Sequence, residues 1–132
     1  MGYRYLFKGS SLSPRMKLIK KDDKKWLDKE GYSKKIFLTE KDLNSPGNHV
    51  QLIKIKPHET AKNHYHKIQT EIFYFLNKNG FFIVNGKKFP VEEGDIIVIE
   101  PNDRHEVVNN TDNDFLYLAF KIKYNEDDFY WE

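Results

Sequence analysis

Four side chains in this sequence carry the donor atoms a metal centre needs. His64 and His66 are separated by one residue, Glu71 lies five residues beyond His66, and His105 arrives much later. Alternate side chains of an extended strand leave the same face, so the two imidazoles project in parallel into one space. The residues between His66 and Glu71 leave room for a bend. After it, residues 71–75 run as the next strand with Glu71, Phe73 and Phe75 on one side. Three imidazoles and a carboxylate form a borderline-hard set that suits Fe²⁺, Mn²⁺, Ni²⁺, Co²⁺, Zn²⁺ or Cu²⁺, with one or two positions left open on an octahedral ion. Zinc prefers four-coordinate sites and an open iron or manganese centre suits oxygen chemistry; the donors alone do not choose between them.

Distant donors meet only if the intervening chain closes on itself, and the composition favours strands. Ala occurs only at Ala61 and Ala119, whereas Val, Ile, Thr, Tyr, Phe and Trp number 41, a bias toward pleated structure. Short strand-like runs follow one another at 34–39, 49–56, 63–67, 70–77, 81–84, 87–90, 95–100, 104–109 and 115–123, separated by turn residues. Asn85-Gly86 between two such runs predicts a type I′ hairpin, which needs positive φ at both central positions. One helical turn is expected over 22–30, with Asp22 and Asp23 as caps and Gly31 as the stop. Many short strands without intervening helices indicate a sandwich or barrel. With residues 49–56 as a strand, Gln51, Ile53 and Ile55 share the inward face.

Set in this order, the residues resemble the cupins. His64-Tyr65-His66, then Glu71 and Gly80, are similar to the first cupin motif. Gly94-Asp95, Pro101, His105 and Asn109 are similar to the second. The family usually carries a glycine where this chain has His58, and often a turn glycine where it has Asp103. The resemblance covers about residues 49–123. It implies an all-β fold, a double-stranded β-helix or jelly-roll barrel, holding a divalent transition metal through His64, His66, Glu71 and His105. Residues 1–45 then form an N-terminal extension with at most one short helix, packed on the barrel or a partner subunit. Residues 46–123 form the barrel, and 124–132 an acidic aromatic tail.

Composition excludes several classes. With 132 residues there is material for one domain, and zero cysteines exclude disulfides, thiolate metal sites and cysteine nucleophiles. No apolar run approaches the ~20 residues of a membrane span, and the first ten residues lack the apolar stretch of a signal peptide, so a cytoplasmic location is expected. Net charge is +2, but the first 45 residues hold 12 basic and 6 acidic side chains and the last nine hold four acids. Tyr3-Arg4-Tyr5-Leu6-Phe7-Lys8 mixes basic and aromatic residues, yet no nucleic-acid motif accompanies it, and nucleic acid is not an expected partner. The run from Phe115 to Phe120, apolar on both faces, and the tail aromatics Phe129, Tyr130 and Trp131 predict a homodimer.

The expected partner is a small organic molecule. One reading is a metal-dependent enzyme of dioxygenase or isomerase type, with Gln51, Phe73 and Phe75 against the substrate. The other is a non-catalytic module that binds a sugar or an organic acid in the same barrel. Fold alone does not decide between chemistries.

Overall fold

The structure, a computed structural model, describes residues 16–132; the segment Tyr3 to Lys8 lies outside them. Eleven strands run in chain order: β1 (Leu27–Lys29), β2 (Tyr32–Leu38), β3 (His49–Ile55), β4 (Thr60–Tyr65), β5 (Thr70–Phe75), β6 (Phe81–Val84), β7 (Lys87–Pro90), β8 (Ile96–Ile99), β9 (His105–Val108), β10 (Phe115–Ile122) and β11 (Tyr130–Trp131). They form a six-stranded sheet, ordered β1-β2-β3-β10-β5-β8, and a five-stranded sheet, ordered β11-β4-β9-β6-β7. All pairings are antiparallel. This is the all-β, double-stranded β-helix architecture the motifs imply.

Strand alternation builds the interior. On the inward face of the larger sheet, Ile53 and Ile55 of β3, Phe73 and Phe75 of β5, and Phe115, Tyr117 and Ala119 of β10 meet Ala61, Phe82 and Val107 of the smaller one. Phe75 and Phe115 stack with ring centroids 5.6 Å apart and planes within 3°. This aromatic filling closes one end of the barrel. Toward the other end the inward side chains become polar, and there the candidate site lies.

The hairpin at Asn85-Gly86 is as expected, with φ of 51° and 82°. His58, standing where the family usually carries glycine, adopts a left-handed φ of 62°. In the second motif the left-handed position falls on Asn102, φ 75°, and not on Asp103.

The helix expected over 22–30 is absent, and Leu27–Lys29 forms β1 instead. Glu30 and Gly31 are a two-residue turn that pairs Lys29 with Tyr32. Gly31 has φ +83°, and a Cβ there would collide with the Thr60 carbonyl oxygen. Gly31 therefore serves a hairpin pressed against β4, not a helix end, because pairing with β2 satisfies the backbone of 27–29. The only helix among the described residues is a single turn, α1 (Glu40–Leu43), capped reciprocally by Thr39 and Asp42 and ended by Asn44 at φ 50°. No helix among the described residues is long and apolar enough to cross a membrane.

The acidic tail returns to its own barrel. Tyr130 and Trp131 pair with Tyr65 and His64 of β4. Arg104, lying over the Tyr65 ring at 3.7 Å, ties down Glu132 at 2.6 Å. Phe129 and Tyr130 are thereby partly covered, while Trp131 stays 54% exposed.

Candidate metal centre

The two sheets supply the four candidate donors from opposite sides. His64 on β4 sits directly across from His105 on β9, while Glu71 on β5 belongs to the facing sheet. His66 lies one residue beyond the end of β4, so the expected strand 63–67 stops early. The reason is Asp128. Its carboxylate accepts from the amides of Lys67, Ile68 and Gln69 at 2.7, 2.9 and 3.0 Å, which takes those amides out of any sheet. Burial works to raise the Asp128 carboxyl, and the three backbone donors outweigh it, leaving it below the usual carboxylate range.

Each imidazole is oriented by a backbone carbonyl. His64 Nδ1 pairs with the Lys62 oxygen at 2.7 Å, His66 Nδ1 with the Asp128 oxygen at 2.6 Å, and His105 Nδ1 with the Asp103 oxygen at 3.0 Å. A carbonyl only accepts, so in each neutral ring Nδ1 holds the proton and Nε2 presents its lone pair. One ligand nitrogen from each of the three rings lies within 4.8 Å of the others. Burial, then the neighbouring His105, push His64 down to about 3, which keeps it in the neutral form that ligates.

Glu71 Oε1 stands 3.0 Å from His66 Nε2 and 3.3 Å from His105 Nε2. Yet His66 Nε2 and Glu71 Oε1 are both buried and make no well-aligned hydrogen bond. A lone pair and a carboxylate oxygen this close repel unless a proton or metal ion lies between them. Burial alone would raise the Glu71 carboxyl; Lys121, 3.5 Å from its other oxygen, and the two histidines win and hold it well below the usual range. The residues fit a divalent cation: three oriented ring nitrogens cluster within 4.8 Å of one another, and an ionised carboxylate stands against two of them.

These donors line a cavity of about 250 Å³, room for several water molecules or a small organic ligand. Of the candidate substrate contacts, Phe73 lines this cavity, whereas Gln51 and Phe75 are fully buried behind it and do not. Gln51 faces inward as expected, and neither atom of its amide has a hydrogen-bond partner. His49 packs edge-on against Tyr124 at 4.5 Å, and His58 pairs with Asp112 on the surface, so neither histidine joins the site. Phe129 stacks on His64 at 4.7 Å and covers it from the tail.

Sequence reasoning passed over Tyr32, Lys34, Lys121, Tyr124 and Asp128, all of which line the cavity. Lys121 was legible, since it lies in phase with the inward residues Tyr117 and Ala119. Lys34 was not: its direction follows only from the pairing of β2 with β3, where it stands opposite inward-facing Ile53.

Residues 51–121 match the family model described as the cupin domain. The chain is 31% identical over 70 residues to a curated relative, the oxalate-binding protein of Thermotoga maritima, covering 53% of this chain and 58% of that protein. It thus spans less than two thirds of the curated relative's length. Among solved structures, a predicted oxalate decarboxylase from Thermotoga maritima is similar with TM-score 0.64 at 23% identity, covering 75% of this chain and 90% of that one. The polyketide cyclase RemF from Streptomyces resistomycificus is similar with TM-score 0.73 at 16% identity, covering 84% of this chain and 82% of that one. At such identities the likeness speaks for the fold.

Proposed function

This chain belongs to the cupin family, and from that premise we propose that it is a metal-dependent enzyme acting on a small organic molecule. His64, His66, Glu71 and His105 hold the divalent ion, and the chemistry is of the oxygenase or isomerase type. The observation that carries this reading is the set of three rings, each with Nδ1 tied to a backbone carbonyl, with Nε2 of His66 and of His105 turned toward Glu71. A divalent ion bound there supplies Lewis-acid or redox chemistry at its open positions. The protein's own part is to fix the donors, to keep His64 neutral, and to limit water with Phe73 and Phe129 at the walls. Metal identity stays among Fe, Mn, Ni, Co, Zn and Cu.

A second reading, a module that binds an organic acid without turning it over, draws support from the curated relative's name. We also propose a homodimer, built on the outer face of the larger sheet.

Untagged protein is expected to carry about one metal ion per chain by elemental analysis. His66→Ala and His105→Ala should lose it while keeping the strand signature in circular dichroism. Equal metal content in the variants sinks the proposed centre. Oxalate offered to iron- or manganese-loaded protein separates the readings: oxalate bound and recovered unchanged supports the module, and consumption supports the enzyme. Consumption that continues without oxygen removes the oxygenase assignment.

A further inference from the structure

We infer that Lys34 forms, with Tyr32, a second anion-binding subsite in the cavity, so that the ligand is a small dicarboxylate with one carboxylate at the metal and the other at Lys34. The inference rests on the metal reading above for the first carboxylate only.

Lys34 comes from β2, outside the 51–121 segment that matches the family model, yet it lines the cavity together with the histidines. It is 8% exposed, and among the described residues its ammonium has no carboxylate in ion-pair range and no hydrogen-bond acceptor; the Tyr124 ring lies at 6.0 Å, and Glu126 and Glu71 act on it only from beyond ion-pair range. Its sequence neighbour Lys35, 7% exposed on the opposite face, is answered: its Nζ donates to the Lys21 carbonyl at 2.7 Å and lies 4.9 Å over Trp26. Of the other two lysines in the lining, Lys29 is exposed, and Lys121 is engaged with Glu71 and the Tyr124 ring. Asp128 is committed to three backbone amides. Lys34 is therefore a largely covered side chain at the cavity wall whose ammonium has no carboxylate in direct contact.

An ammonium partly desolvated without a direct counter-ion costs stability, so an apolar residue would pack there at lower cost. What offsets the cost is a ligand that brings the missing negative charge. Burial, then Lys121 and Lys29, bring Lys34 down to about 8, which still leaves it largely charged at neutral pH. Tyr32 adds a hydroxyl that burial and Glu71 push up to about 12, so it remains a donor. One ammonium and a phenol suit a carboxylate. The cavity lining has no arginine fork for bidentate phosphate recognition. Its volume of about 250 Å³ accommodates a short-chain dicarboxylate.

The test uses full-length untagged protein loaded with zinc, titrated calorimetrically with oxalate, malonate, succinate and glutarate, and with acetate and inorganic phosphate as controls. At least one dicarboxylate should bind more tightly than acetate or phosphate. Lys34→Met should weaken that binding at least tenfold, leave acetate within twofold, and leave zinc content unchanged. Lys34→Arg should recover much of the lost affinity, and Lys34→Met should melt no lower than the wild type. Dicarboxylate binding that Lys34→Met leaves intact, or phosphate bound more tightly than every dicarboxylate, overturns the subsite. Protein that takes up no metal but binds dicarboxylates through Lys34 overturns the metal reading and leaves the subsite standing. Metal uptake with no Lys34 dependence does the reverse.

Discussion

At the scale of single residues, the site is governed by which charges are answered. Glu71 is surrounded by His66, His105 and Lys121, and stays ionised in spite of complete burial. Lys34 has no carboxylate in direct contact, and burial above all brings its folded pKa down to about 8, below the ordinary lysine value of 10.5. The unfolded chain therefore binds more protons than the native protein between those two values, and stability contributed by this group rises with pH across that window. The groups acting on Lys34 are Lys121 and Lys29, which depress it, and Glu126 and Glu71, which oppose them. The wild type should gain stability relative to Lys34→Met as pH is raised from 8 toward 10.5. Urea midpoints of both proteins at pH 7.5 and 10 check this, and parallel midpoints contradict it.

At the scale of elements, the barrel's first motif is completed by a segment that is remote in sequence. Asp128 holds the loop after His66 through three amides, and its own carbonyl orients the His66 ring. Partners that orient metal ligands from behind are typically worth ~10–100-fold in metal affinity. Asp128→Ala releases the loop and, with it, the carbonyl that fixes His66. Metal affinity in that variant should fall by about 10–100-fold, measured by competition with a coloured chelator, while the aromatic core keeps its near-ultraviolet dichroism. Unchanged affinity means that β11 and the Arg104–Glu132 pair anchor the tail without Asp128.

At the scale of the whole molecule, the outer face of the six-stranded sheet is apolar. Ile96, Tyr74, Leu118 and Leu52 stand in one cross-strand row, and Val98, Ile72, Phe120 and Val50 in the next. Ile96 is 58% exposed and Val98 48%. Contiguous apolar surface of this kind marks an interaction face, and the proposed homodimer buries it. Light scattering should give about twice the chain's 15.8 kDa. The double variant Ile96→Glu with Val98→Glu should bring it to the monomer value, since two desolvated charges oppose association. A monomeric wild type rules the dimer out.

Much of the architecture follows from local rules. Period-two alternation with turn residues between the runs located β3 and β5 to β10 to within about two residues, and Asn85-Gly86 carries its own hairpin geometry. The four candidate donors were legible because histidines one residue apart, and motif frames around Glu71 and His105, leave a trace in one dimension. The Asp22 to Glu30 segment misled because Gly31 stops a helix and turns a hairpin equally well. Only the pairing with β2 and the contact with Thr60 select the second. What the tertiary structure alone decided is everything that depends on register and return of the chain. Lys34 faces the cavity because β2 pairs with β3, and Asp128 reaches His66 across 62 residues. A local pattern records which face a side chain takes within its strand, but the sheet it joins and the segment that comes back to meet it are set by packing between distant parts of the chain.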